Sequence, residues 1–150
     1  MERVVLAGAV VAAAAVLALV VQRRRPDAPT QAAWPVPTQL DRRDFTRPDS
    51  PWLVAVFSSA TCDACAAAMA KAEALASGAV TVEEVPVDAR PDLHRRYGVT
   101  AVPTLVVADD QGVVQASFVG PPSATDLWAA VAEARQPGSS PEPGLGRPGL

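Results

Sequence analysis

The chain has two cysteines, Cys62 and Cys65, and only Asp63 and Ala64 lie between them. At this spacing the second sulfur can reach the first within one turn of a helix, so the pair can cycle between dithiol and disulfide. If Cys62 stands at the start of the helix, unpaired backbone N–H groups and the helix dipole stabilise its thiolate and lower its pKa. We therefore expect Cys62 to be the attacking thiol and Cys65 the resolving thiol.

Other interpretations of the cysteine pair remain open, namely half of a zinc site, two buried apolar thiols or a static bridge. The chain has one histidine, His94, so a zinc site made of four Cys and His ligands would lack at least one ligand. We expect His94 to be solvent-exposed, on a short helix that turns Leu93 and Tyr97 inward. No metal ion and no cofactor is expected.

Length and charge exclude several classes of protein. The 150 residues suffice for one ordinary domain, and two cysteines exclude a secreted scaffold with several disulfides. Thirteen Lys and Arg against sixteen Asp and Glu give a net charge of −3, with a pI near 5.1. Such an acidic chain is not expected to bind nucleic acid, which usually requires a basic patch.

Residues 4–21 form an unbroken apolar run of 18 residues, made of Val, Leu, Ala and one Gly. As a helix this run would be about 27 Å long, close to the thickness of the hydrocarbon core of a bilayer. A cleaved signal peptide would have a shorter apolar region followed at once by small residues, whereas here Arg23, Arg24 and Arg25 follow. The run predicts an uncleaved, single-pass transmembrane anchor in the cell membrane.

Proline and glycine mark the boundaries of the folded unit. Residues 22–35 contain three prolines among polar residues and predict an extended tether. Residues 137–150 hold four Pro, four Gly and two Ser, which predicts a disordered tail. The folded domain is therefore expected at residues 36–136.

Apolar patterning within this domain alternates between strand and helix periods. The continuous apolar run 52–57 is typical of a strand that is covered on both faces. On the expected strand 81–87, Glu83 and Glu84 are adjacent and must face opposite sides, so they are not a paired-carboxylate site. The expected order is strand 52–57, helix 62–77, strand 81–87, helix 91–97, strands 104–108 and 113–118 joined by a turn, and a helix capped by Ser123. This order predicts an α/β domain with a mixed sheet.

The redox loop and a distant proline together resemble the thioredoxin superfamily, particularly its membrane-anchored bacterial members. The resemblance covers residues 39–133. Phe57-Ser-Ser-Ala-Thr-Cys-Asp-Ala-Cys65 occupies the place of the family's redox loop, and Pro103 of Val102-Pro103-Thr104 follows Cys65 by 38 residues. Gly120 matches the glycine after the last strand.

This resemblance implies a thioredoxin-like fold, with a mixed sheet flanked by helices, and the activity of a thiol–disulfide oxidoreductase. It implies a redox-active Cys62–Cys65 disulfide and a cis peptide bond between Val102 and Pro103 beside the Cys62 sulfur. In the family this turn offers the backbone of the residue before the proline, here Val102, to an extended substrate strand. The expected partners are protein thiols and disulfides together with an unidentified redox partner.

The sequence departs from thioredoxins proper at three places. Thr61 stands where the family has Trp, and Asp63-Ala64 stands where it has Gly-Pro. Val56 occupies the position of a buried acid that assists proton transfer at the second thiol in the family. Without that acid, efficient turnover as a general reductant is not expected. The Asp63 carboxylate also opposes thiolate formation at Cys62, against the helix dipole, so a specialised exchange protein is expected.

Two other function classes are consistent with parts of the sequence. The loop from Ala60 to Cys65 is faintly similar to that of small copper-carrying domains, and tight Cu(I) binding without disulfide exchange would favour that function. A non-catalytic, thioredoxin-like interaction domain would instead leave Cys62 buried and unreactive.

Two arguments about the side of the membrane conflict. Arg23, Arg24 and Arg25 follow the apolar run, while Arg3 and the α-amine precede it, and this charge bias favours a cytoplasmic domain. Many anchored relatives act outside the cytoplasm, where disulfides persist. The charge bias gives the cytoplasmic side a slight preference.

Overall fold

The computed structural model describes residues 34–139. The predicted anchor at residues 4–21, nearly all of the tether at 22–35 and most of the tail at 137–150 lie outside this range. None of the helices between residues 34 and 139 is long and apolar enough to cross a membrane.

Within residues 34–139, four strands and three α-helices follow a short 3-10 helix at Arg42–Asp44. In chain order they are β1 (Trp52–Ser58), α1 (Asp63–Glu73), β2 (Val80–Pro86), α2 (Pro91–Arg96), β3 (Thr104–Ala108), β4 (Val114–Val119) and α3 (Ala124–Arg135). The sheet order is β2-β1-β3-β4; β1 runs parallel to β2 and antiparallel to β3, and β3 runs antiparallel to β4. This mixed sheet with its helices confirms the predicted α/β class.

Strand β1 lies in the middle of the hydrophobic core and is buried from Leu53 to Ser58. Leu53, Ala55 and Phe57 pack on one face of the sheet, in a cluster that includes Leu93 of α2. The other face packs against α1 and α3 through Val54, Val56, Ala68, Ala72, Leu127, Ala130 and Val131. Burial on both faces explains why the run carries no polar alternation.

Helix α1 is shorter than the predicted helix at 62–77, because it ends at Glu73. The N–H groups of Leu75 and Ala76 bond to carbonyls three residues back, which tightens the chain into a turn. Ser77 completes that turn: its hydroxyl accepts a hydrogen bond from Val80 N–H, and its own N–H donates to the Val80 carbonyl. The turn starts β2 one residue earlier than the apolar pattern indicates.

The expectation that His94 is solvent-exposed was wrong. The residue is 6% exposed, and its Nε2 lies 2.8 Å from the carbonyl oxygen of Val85 on β2. Because a carbonyl only accepts, Nε2 carries the proton. The imidazole also meets the ring of Phe57 edge to face, with 5.1 Å between centroids. His94 is buried because its N–H has an acceptor and its ring an aromatic neighbour.

Candidate redox site

Both cysteines lie at the N-terminal end of α1, where β1 gives way to the helix. Cys62 is the N-cap residue in extended conformation, and its side chain makes no capping hydrogen bond. The two sulfur atoms lie 2.14 Å apart, at disulfide distance, with 5.4 Å between the Cα atoms. The predicted spacing therefore brings the two thiols together without unwinding α1.

The loop before the cysteines is held by its own backbone and by the end of β2. Cys62 N–H donates to the Ser59 carbonyl over 3.1 Å, and Cys65 N–H donates to the Cys62 carbonyl over 3.1 Å. The carboxylate of Asp88 accepts a hydrogen bond from Ala60 N–H. These bonds place Cys62 at the rim of the fold, partly exposed, while Cys65 is 3% exposed.

The N-terminus of α1 and the carboxylate of Asp63 have opposite effects on a thiolate at Cys62. The first N–H groups of a helix lack intrahelical partners, so the N-terminus of α1 stabilises a thiolate at Cys62. Asp63 places a carboxylate in the same first turn. Its charge competes with the Cys62 thiolate for the positive end of the helix, as the sequence predicts.

The Val102–Pro103 peptide bond is cis, which confirms the expected isomer. Thr104 pairs with Phe57 across the β1–β3 ladder, so Pro103 lies at the end of the sheet from which the cysteine loop emerges. Pro103 is buried and its carbonyl accepts from Gly120 N–H over 2.8 Å.

The backbone of Val102 differs from that of its neighbours. Within residues 34–139, neither its N–H nor its carbonyl forms a hydrogen bond, and Val102 is half-buried rather than enclosed. An extended peptide could therefore pair with it without displacing a bond inside the domain. The role of Val102 and Pro103 in binding substrate stays a prediction.

Sequence reasoning did not foresee that Glu84 lines a cavity together with the cysteines. As expected, Glu83 and Glu84 face opposite sides of β2: Glu83 accepts hydrogen bonds from Thr46, and Glu84 accepts one from the hydroxyl of Ser58. A cavity of about 390 Å³ is lined by Cys62, Cys65, Glu73 and Glu84 together with small or apolar residues. The alternation of side chains along β2 could have indicated this position, because it places Glu84 on the same face of the sheet as α1.

Two groups with shifted pKa values, Tyr97 and Asp41, lie in another part of the domain. Asp44 accepts a 2.5 Å hydrogen bond from the Tyr97 hydroxyl, and burial together with this bond raises the pKa of Tyr97 to about 12. Hydrogen bonds from Arg43 hold the pKa of the Asp41 carboxyl well below its usual range. A cavity of about 550 Å³ adjoins these charged groups and includes neither cysteine.

In residues 34–139, no three His, Cys, Asp or Glu side chains are grouped to hold a metal ion.

Comparison with known proteins gives a consistent result. The family model described as Thioredoxin matches residues 42–133. The structure of thioredoxin from Fasciola hepatica is 30% identical, with a TM-score of 0.51, over 57% of this chain and 83% of that chain. Oxidised mitochondrial thioredoxin 3 from Saccharomyces cerevisiae is 26% identical, with a TM-score of 0.50, over 57% of this chain and 81% of that chain. A comparison with curated proteins finds no match.

Proposed function

The chain belongs to the thioredoxin family, and from that premise we propose that it is a membrane-anchored thiol–disulfide exchange protein acting on protein thiols and disulfides. The observation that carries the proposal is the cysteine pair itself. Cys62 and Cys65 stand at disulfide distance at the N-terminus of α1, where a helix end favours a thiolate. Cys62 attacks a substrate disulfide and Cys65 resolves the mixed disulfide.

The unpaired backbone of Val102 supports a protein substrate rather than a small thiol alone. A strand of the substrate that bonds to this backbone would lie at the end of the sheet that carries Cys62. Such pairing supplies main-chain hydrogen bonds to any extended peptide. It positions the substrate disulfide without requiring a particular sequence.

The test of the exchange activity uses the full chain and a protein disulfide such as that of insulin, with dithiothreitol as reductant. The expected result is reduction of the protein disulfide well above the rate with dithiothreitol alone. The matched control is the double variant Cys62→Ser with Cys65→Ser, which has no thiol and whose folding is checked by circular dichroism. Equal rates for the two proteins would contradict the proposed function.

We further propose that residues 4–21 anchor the domain in the cell membrane, with the domain on the cytoplasmic side. The apolar run and the three arginines that follow it support this arrangement. In intact cells, a membrane-impermeant thiol reagent should label the chain only after lysis. Because a disulfide would also block labelling, a permeant reagent must first show that the cysteines are reduced. Labelling of intact cells by the impermeant reagent would overturn the cytoplasmic assignment.

A further inference from the structure

Resolution of a mixed disulfide requires the Cys65 thiol to lose its proton inside the protein. Cys65 is 3% exposed, and burial disfavours a thiolate. Val56 on β1 packs on the face that carries α1, and this side chain cannot accept a proton. A proton acceptor must therefore come from elsewhere around the cavity next to Cys65.

Glu84 occupies the position on β2 that pairs directly with Val56 in the parallel ladder. Its Oε1 accepts a 2.6 Å hydrogen bond from the hydroxyl of Ser58, the last residue of β1. Ser58 is only 1% exposed and is followed by the cysteine loop. This bond therefore fixes one oxygen of the Glu84 carboxylate next to the buried end of β1. Glu84 itself is exposed and lines the same cavity as Cys62 and Cys65, so it can exchange protons with solvent.

Resting on the proposed function, we propose that Glu84 is the proton acceptor for Cys65 in the resolving step. The Cys65 thiol gives its proton to the Glu84 carboxylate across the cavity that both residues line. The Cys65 thiolate then attacks the Cys62 sulfur, forming the Cys62–Cys65 bond while the bond from Cys62 to the substrate breaks. The substrate leaves as a thiolate with the electron pair of that bond, and Glu84 returns the proton to it or to solvent.

Other carboxylates near the loop are less suitably placed. Glu73 lines the cavity, but it follows Cys65 by eight residues on α1, about 12 Å along the helix axis. Asp63, in the first turn of α1, and Asp88, which accepts from Ala60 N–H, do not line the cavity beside Cys65. Among these carboxylates, all within residues 34–139, Glu84 is the one that accepts a hydrogen bond from the buried hydroxyl at the end of β1.

A single-turnover reaction separates the two thiol steps, since the chain has no other cysteine. The reduced full chain is mixed with a stoichiometric amount of dithiobis(nitrobenzoate), an aromatic disulfide that releases a coloured thiolate. Attack by Cys62 releases the first equivalent, and displacement by Cys65 releases the second. The rate of each phase is followed as a function of pH for the wild type and for Glu84→Gln, whose amide can still accept from Ser58.

Glu84→Gln is expected to slow the second phase at least about tenfold at neutral pH and to move its pH profile upward, because a general base is lost. The first phase should change less than about twofold. The matched controls are Glu83→Gln, on the opposite face of β2, and Glu73→Gln, within the cavity; both should leave the second phase unchanged.

Three outcomes would overturn the inference. A second phase that is unchanged in Glu84→Gln removes Glu84 from the step while leaving the proposed function intact. Equal slowing in Glu73→Gln assigns the effect to the general charge of the cavity. Release of only one equivalent by the wild type contradicts both the inference and the exchange function, because no resolving step then exists.

Discussion

The Cα atoms of Cys62 and Cys65 lie 5.4 Å apart, yet only Cys62 is open to solvent. This difference arises because Cys62 caps α1 at the rim of the fold, whereas Cys65 lies one turn further on and is enclosed. A nucleophile must reach its substrate, while a resolving thiol need only reach its partner.

The first prediction concerns the order of the two thiols. Cys65→Ser should accumulate a mixed disulfide with a protein substrate, because Cys62 can attack but nothing displaces the substrate. Cys62→Ser should accumulate little or none. Non-reducing electrophoresis after acid quenching measures both variants, and the reverse pattern would overturn the assignment.

A second prediction concerns the free backbone of Val102. Val102→Pro removes the N–H donor, and loss of one hydrogen bond to a substrate strand should slow exchange with a protein disulfide about three- to tenfold. Reaction with a small disulfide should remain within about twofold, since no strand is bound. Val102→Ala, which keeps the donor, is the matched control. Equal slowing with both substrates would argue against strand pairing.

Replacing Asp63 should increase reactivity and reduce stability. Without its charge, the Cys62 thiolate should be favoured by about 0.4–1 kcal/mol, which corresponds to alkylation about two- to fivefold faster at neutral pH. The free energy of unfolding should fall by about 0.3–1 kcal/mol because the helix loses a favourable first-turn charge. Asp63→Asn in the Cys65→Ser background isolates Cys62 for the rate measurement. Asp126→Asn, in the first turn of α3, should lower stability without changing that rate.

Alkaline pH should destabilise the fold through Tyr97. The pKa of its hydroxyl rises from 10.0 to about 12 in the folded chain, so the folded state holds its proton more tightly than the unfolded state. The contribution of the protonated Tyr97 hydroxyl to the free energy of unfolding is fully present below pH 10 and is lost as the pH rises towards about 12. Because the chain has one tyrosine, ultraviolet absorbance titrates it directly.

The variant Tyr97→Phe should lose about 1–2 kcal/mol near neutral pH, since the hydrogen bonds to Asp44 and Asp41 disappear. Its stability should then vary less between pH 10 and 12 than that of the wild type. A wild-type tyrosine that titrates near 10 would contradict the prediction.

The last prediction concerns Gly112, which has φ of +81° between β3 and β4. A Cβ at this position would lie 2.0 Å from the carbonyl oxygen of Leu40, whose N–H bonds to the Gly112 carbonyl. Gly112→Ala should therefore cost at least about 3 kcal/mol, because conformational strain adds to the clash. Gly78→Ala is the matched control, since its Cβ would meet no atom within 4 Å, and urea titrations of both variants measure the difference.

Local patterns in the sequence determined the elements around the cysteines. The apolar run of β1 indicated burial on both faces, and the two-residue period of β2 placed Glu83 and Glu84 on opposite sides. The spacing of Cys62 and Cys65 was sufficient to bring their sulfurs together within one turn. These features depend on backbone geometry within a few residues, which a single sequence contains in full.

Tertiary packing decided which residues the side chains on each of these faces contact. Only the pairing of β2 with β1 brings Glu84 to Ser58 and to the cavity beside Cys65. Only the packing of α2 over β1 and β2 gives His94 an acceptor and so buries it. Local periodicity states which way a side chain points, but the partner comes from a segment distant in sequence, whose position depends on the pairing of strands and the packing of helices.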